Sequence, residues 1–371
     1  MGVAELGVFA SADMTEGEIT VAIKVGILGA KGFASGEAIR LLLGHPEFEI
    51  GVLMGRVDAP EPVANYFPEL RDAGDYQIVP MDLDALAADS DIIILGLPHM
   101  TAAEYAGQLS GAGVKLVDLS SDFRFDSLEL YEKTYGLKHV EPKLLGKFAY
   151  ALPELFGDAI PGAGGLACPG CYPTAALLGL APLTRKAGSF DFETIVIDAL
   201  TGVTGAGRKV VEENMFTQCH ESLNPYAVGG HRHRPEIEEK LGSIGGCKVA
   251  ITFTAHLVPI NRGILSTATV RVREDVTAKE LRDLYIDFYK DAPFVRLLPE
   301  GEWPSTAAVE RSNYCDIAVT LDQRGDAVII NSTIDNLTKG TSGQAIQSMN
   351  LWYGFPETLG LLPSTGRMSH A

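Results

Sequence analysis

Two cysteines three positions apart stand at the head of the run ACPGCYPTAALLGLAPL (167–183), separated only by Pro169 and Gly170. Such a pair serves as a redox couple, as half of a metal site, or as one nucleophile with a neighbour. A metal needs more ligands, and Cys219, His220, Cys247 and Cys315 supply no second C-x-x-C; no metal site is expected. A thioredoxin-like motif belongs early in a βα unit, whereas this one falls between two differently patterned halves. A buried structural cysteine is the plain alternative, and the Pro-Gly turn before Cys171 and the basic residues elsewhere favour the nucleophile. Cys171 precedes Pro173, which a first helical turn tolerates, and then an apolar helical run. A thiol so placed meets the positive end of the helix dipole, which favours the thiolate, and free backbone N–H groups there can hold an oxyanion. Cys168 has no part in that chemistry, although the Pro-Gly turn can bring it near enough to cap Cys171 reversibly as a disulfide.

A nucleophilic cysteine needs a proton handler, and histidine is the usual one. VGGHRHRPEI (228–237) offers His231 and His233 in a glycine-preceded loop before a helix. Alternate residues of an extended segment share a side, so both histidines are expected to face one pocket with Arg232 opposed. Arg124 closes DLSSDFR (118–124), and Arg208 sits on the glycine-rich turn TGVTGAGRK (201–209). With Arg56 and Arg262 they stand beside glycines or turn residues in a chain whose net charge is −18. An acidic chain that gathers cations at turns is preparing a place for an anionic small molecule. The same charge repels phosphate backbones, so no nucleic-acid partner is expected.

The elements that position these residues come in two textures. IKVGILGA (23–30), FEIGVLMGR (48–56), SDIIILGLP (90–98) and VKLVDLSSDFR (114–124) are apolar strands, with helical spacing at 35–45 and 101–113. That alternation predicts a parallel sheet wrapped by helices. After Cys171 come longer strands at 194–200, 248–259, 263–273, 314–322 and 326–335, the last two flanking a Gln323-Arg324-Gly325 turn. With one clear helix among them (277–291), they predict an α+β unit with a largely antiparallel sheet. A closing amphipathic helix covers 342–354.

The first strand runs into Gly29-Ala30-Lys31-Gly32 and a helix start, where backbone N–H groups can hold a pyrophosphate. The next strand ends Met54-Gly55-Arg56. An arginine there suits a 2′-phosphate, so NADP(H) is favoured over NAD(H) even with Asp58 close by. The longest apolar runs are too short to span a bilayer, the first residues lack a basic n-region, and five cysteines are an odd count; cytoplasm is expected, with no membrane partner. Residues 1–23 read as a loose extension, with Met14 an alternative start.

Together these stretches resemble the N-acetyl-gamma-glutamyl-phosphate reductase family. The likeness runs from GAKGFASGEAIRLLLGHP through LGLPH, DLSSDFR, PGCYPTAALL, GAGR, GGHRHRPEI, VPINRGIL and DNLTKGTSGQAIQSMN to GFPETLGL (354–361). It implies a Rossmann-like dinucleotide-binding domain plus a glyceraldehyde-3-phosphate-dehydrogenase-like α+β domain. The boundaries it suggests are 24–170 with 340–371 for the NADP domain, and 171–339 for the catalytic and oligomerisation domain. The family pattern places the catalytic pair on Cys171 and His233 and the nicotinamide near Asn336. It implies a homodimer or homotetramer. Arg124, Arg208 and His231, read from their own positions as cations at turns and a second loop histidine, are expected to bind the acyl phosphate substrate. The implied reaction is NADPH-dependent reduction of N-acetyl-gamma-glutamyl phosphate in arginine biosynthesis. Two rivals stand beside it: the sister reductase of carrier-linked aminoadipyl phosphate in lysine biosynthesis, and a non-catalytic dinucleotide sensor that needs no cysteine–histidine pair. The chain departs from the family at Lys31, where serine is usual, at Ser35, where glycine is frequent, and at Cys168, often asparagine.

Overall fold

The computed structural model describes residues 22–362, so nearly all of the extension read at 1–23, Met14 included, lies outside the described residues. Largely apolar runs form the strands β1 (Ile23–Leu28), β2 (Phe48–Met54), β3 (Ile92–Leu95), β4 (Lys115–Asp118) and β5 (Gly165–Ala167). They lie side by side in the order β2-β1-β3-β4-β5, all parallel. Three short strands extend the sheet at its edges. All four residues of β3 are buried, as expected of a central strand covered on both faces.

The second sheet is built on β6 (Phe190–Gly202), β7 (Ile251–Val258), β8 (Ile264–Val272), β9 (Cys315–Leu321) and β10 (Ala327–Ile334). Its order is β7-β6-β8-β10-β9, flanked by short strands at Asn224–Tyr226 and Val295–Leu297. The β6–β8, β8–β10 and β9–β10 pairings are antiparallel. β6 and β7 instead run parallel, because the helix after His233 provides the crossover that a parallel pair requires. β8 alternates buried and half-buried residues, so one face packs on helices.

Helix α1 (Phe33–Leu42) follows β1, and α2 (Cys171–Leu180) leaves the first sheet for the second. Every residue of α2 from Tyr172 to Leu180 is buried, consistent with a helix apolar on all sides. α3 (His233–Gly245) and α4 (Ala278–Phe288) complete that layer. α5 (Gly343–Trp352) turns back, and its Ala345, Ile346, Met349 and Trp352 join the hydrophobic core of β1 and α1.

One ion-pair cluster ties the two sheets together. Arg262, at the turn before β8, reaches Glu37 of α1 at 2.6 Å and Asp335, just past β10, at 3.2 Å. Burial alone would raise the Glu37 pKa, but Arg40 and Arg262 win and bring it down to about 2. The turn beyond Asp335 is thereby fixed against the first sheet.

Candidate active site

The dinucleotide loop is shaped by two close approaches. Gly29 has φ +90°, and a Cβ there would run into the carbonyl of Gly96; only glycine fits. Ser35 donates its hydroxyl to the Gly29 carbonyl at 2.9 Å, bracing the loop from inside α1. Gly32 caps α1 in extended geometry with no side-chain cap, leaving first-turn N–H groups for a ligand. This cradle fits a pyrophosphate. Lys31 lays its stem along Gly55 and donates from Nζ to the Arg56 carbonyl at 2.8 Å. Two cations therefore gather at the end of β2.

Cys171 is the first residue of α2, after Gly170 in extended geometry. A Cβ added to Gly170 would lie 2.5 Å from Nε2 of His233, so the imidazole packs against the turn that presents the thiol. On the other side, a Cβ at Gly340 would sit 2.9 Å from the Cβ of Cys171. The site tolerates neither.

Burial raises the Cys171 thiol pKa above its ordinary value, although Arg124 and the Tyr172 N–H pull it back. The helix terminus expected to favour a thiolate is therefore outweighed by desolvation. Burial, helped by His231 and Arg124, holds His233 well below the usual imidazole range. The resting pair is a neutral thiol beside a neutral imidazole.

His231 accepts from the His233 N–H through Nδ1 at 3.1 Å, and the two rings lie 4.9 Å apart. Burial and then Arg232 push its pKa down to about 4. Arg232 is not opposed to the histidines. It has helical geometry as the cap of α3, where side chains no longer alternate, and it lines the same cavity.

That cavity, of about 1290 Å³, joins the dinucleotide loop to Cys171, and exceeds the usual single-ligand range of roughly 300–1,000 Å³. Gly29, Lys31, Gly32, Gly55, Arg56, Arg124, Cys171, Arg208, His231, His233 and Asn336 all line it. Ala30 does not; it is buried behind the loop, its N–H donating to the Met54 carbonyl. Each of the three nitrogens of Arg124 already donates to the protein: to the carbonyls of Cys168 and Leu119, and to Glu236. Arg208 reaches to α1, over the rings of Phe33 and Phe67, and donates to the Tyr66 carbonyl. It stands on the dinucleotide side of the cavity. The Asn336 amide accepts from the Gly263 N–H and donates to Thr204, joining two turns at the cavity wall. Cys168 packs into the core of the first sheet while Cys171 borders that of the second, and both are free thiols.

Residues 24–163 match the family model of the semialdehyde dehydrogenase NAD binding domain, and residues 171–336 that of the semialdehyde dehydrogenase dimerisation domain. The sequence is 44% identical to N-acetyl-gamma-glutamyl-phosphate reductase of Moorella thermoacetica, over 91% of this chain and 98% of that protein. The chain belongs to the N-acetyl-gamma-glutamyl-phosphate reductase family. The family member from Desulforudis audaxviator is 45% identical over 92% of this chain and 98% of its own length. Aspartate semialdehyde dehydrogenase II of Vibrio cholerae, complexed with ASA, superposes with a TM-score of 0.68 at 16% identity, covering 90% of this chain and 98% of that one. The Candida albicans aspartate semialdehyde dehydrogenase with NADP gives 0.65 at 15%, covering 90% and 99%. At such identities these structures speak to the fold alone.

Within this reductase-family fold, Glu236 is the site residue that sequence reasoning missed. It is fully buried, accepts from the Gly170 N–H at 2.9 Å and the Tyr150 hydroxyl at 2.8 Å, and pairs with Arg124 at 3.3 Å. One carboxylate thus joins the helix bearing His233 to the turn bearing Cys171. Helical spacing could have found it, since His233, Glu236, Ile237, Lys240 and Leu241 form the buried face of α3. Glu236→Ala is expected to cost about 3–5 kcal/mol, because it orphans a buried guanidinium. Glu236→Gln, which still accepts from Gly170, should lose much less. Urea unfolding of both variants checks the order.

Proposed function

We propose that the chain reduces N-acetyl-gamma-glutamyl phosphate to N-acetyl-glutamate semialdehyde and phosphate, with NADPH, through a thioester on Cys171. The observation that carries this is one cavity holding Cys171 at a helix N-terminus, His233 against the same turn, and the glycine loop. A dinucleotide sensor needs no such pair.

The residues act in sequence. His233, neutral at rest, accepts the thiol proton of Cys171 as the sulfur attacks the acyl carbonyl. The first-turn N–H groups of Cys171 and Tyr172 face the oxygen that becomes negative. The C–O bond to phosphate breaks with its electron pair on the departing oxygen, which leaves the thioester. When bound along the Gly29–Gly32 loop, the reduced nicotinamide supplies hydride. Protonated His233 hydrogen-bonds the oxyanion of the reduced adduct and returns its proton to the Cys171 sulfur as the C–S bond breaks and the aldehyde leaves. Arg124, committed to Glu236 and the Cys168 carbonyl, fixes the Cys171 turn and contributes its charge from behind. A homo-oligomer would assemble through the unit at 171–336 that matches the dimerisation-domain model, and the reaction belongs to the cytoplasm.

The test is NADP+ reduction with N-acetylglutamate semialdehyde and phosphate or arsenate, beside a carrier-linked aminoadipate semialdehyde. Turnover with the acetylated substrate is expected; turnover with only the carrier-linked one would assign the lysine branch instead.

Cofactor choice rests on the cations at the end of β2. Arg56→Ala should raise the NADPH KM about tenfold, the loss of one charge-assisted hydrogen bond, and leave the NADH KM nearly unchanged. Equal shifts for both cofactors would remove Arg56 as the reader of the 2′-phosphate. Lys31→Ala, measured by dinucleotide fluorescence titration, should move in the same direction.

A further inference from the structure

His99 takes no part in the mechanism above, yet it lines the cavity with Cys171 and His233. It makes no hydrogen bond with any described residue. Its Nδ1 is sealed from solvent without a partner. A sealed nitrogen is far less costly as a bare acceptor than as an orphaned N–H, so the proton belongs on Nε2. Burial first, and then Arg232 and Arg124, keep the ring neutral. It can donate from Nε2 while staying uncharged.

The backbone beside it is strained into place. Met100 has φ +67°, a left-handed conformation that side chains disfavour. Asp122, itself buried, clamps it there by accepting from the Met100 N–H at 2.7 Å and the Ala103 N–H at 2.9 Å. Strain held by a buried carboxylate next to an unpartnered histidine is the pattern of a positioned ligand contact. Arg232 supplies the charge. Its side chain lines the same cavity and has no hydrogen-bond partner among the described residues, unlike Arg124 and Arg208.

We propose that His99 and Arg232 bind the phosphoryl group of the acyl phosphate, His99 by an Nε2–H hydrogen bond and Arg232 by its charge. This rests on the thioester reading of the same site. The substrate carries two anions, but only the phosphoryl group is attached to the carbonyl that Cys171 attacks. The α-carboxylate lies several bonds away. As the acyl C–O bond breaks, its electron pair passes to the phosphate oxygen, where both donors meet the added negative charge. In the opposite direction the same pair holds inorganic phosphate as it attacks the thioester and thiolate leaves.

The test runs in that opposite direction, with NADP+, the semialdehyde and phosphate. Without phosphate, one equivalent of NADPH should form in a burst, since acylation of Cys171 precedes phosphate attack. His99→Asn should keep the burst and the semialdehyde KM but raise the phosphate KM by about ten- to a hundredfold, the loss of a hydrogen bond to a charged group. Arg232→Gln, at an exposed position that the fold does not need, should do the same. Calorimetric titration of inorganic phosphate into the Cys171→Ser protein, with and without each change, reads the contact apart from any thioester. Wild-type phosphate affinity in both variants would overturn the proposal, as would a rise in the semialdehyde KM alone, which would place His99 on the α-carboxylate. Absence of the burst in the unaltered enzyme would overturn the thioester reading instead, and the calorimetry would still decide the phosphate contact.

Discussion

Cys171→Ser lowers kcat/KM by more than about 10³-fold, because it removes the nucleophile itself and leaves only binding and the oxyanion donors. Affinity for NADPH, followed by fluorescence, stays at the wild-type level, since the thiol lies beyond the loop that holds the dinucleotide. The serine hydroxyl is a much weaker acid than a thiol that burial has already raised, and one neutral imidazole cannot make up the difference. Mass spectrometry after an activated acyl substrate should place the acyl group on Cys171. Turnover within tenfold of wild type, or acylation of Cys168 instead, would mean that the wrong cysteine has been assigned.

His233→Asn should cost 10²–10⁴-fold, the usual range for general acid–base catalysis. The pH profile carries more information than the magnitude. In the wild type the base must be unprotonated, and burial keeps His233 well below the ordinary imidazole pKa. The acid limb of kcat/KM therefore falls below about pH 6.5, and activity holds across neutral pH. In the variant, solvent must take the thiol proton. Its rate should climb tenfold per pH unit through the alkaline range toward the raised pKa of Cys171. A flat alkaline profile, or a larger loss from His231→Asn, would exchange the roles of the two histidines.

Much of the fold was legible because its strands announce themselves. β3 is an unbroken aliphatic run, and β8 alternates its burial, so period and composition agreed with the sheet each entered. The β6–β7 pairing was less legible. Whether two distant strands run parallel depends on the path between them, and 233–245 read only as the sequel to a histidine loop. The same segment misled over Arg232, since alternation holds in a strand and fails once the chain turns helical. Local residue types also said nothing of desolvation. A cysteine at a helix start reads as an activated thiol until the bulk around it is known, and part of that bulk comes from Tyr226 and the Gly340 turn, both distant in sequence. Arg124 and Arg208 were recognisable as cations near turns. Their partners, Glu236 for one and the rings of Phe33 and Phe67 for the other, are fixed only by the tertiary fold.

The return of α5 to the first sheet bears on how the chain is made. The core around β1, β3 and α1 includes Ala345, Ile346, Met349, Trp352 and Leu361, so it cannot close when residue 167 leaves the ribosome. At about 5–20 residues per second, the remainder of the chain takes on the order of ten to forty seconds to synthesise. Through that interval the apolar strands of the first sheet are complete but uncovered on the side that α5 will fill. The second sheet, from Phe190 to Ile334, reaches its full length first. The nascent protein thus presents its dinucleotide half to chaperones as a late-maturing client, and truncating the last turns of α5 would be felt at the opposite end of the sequence.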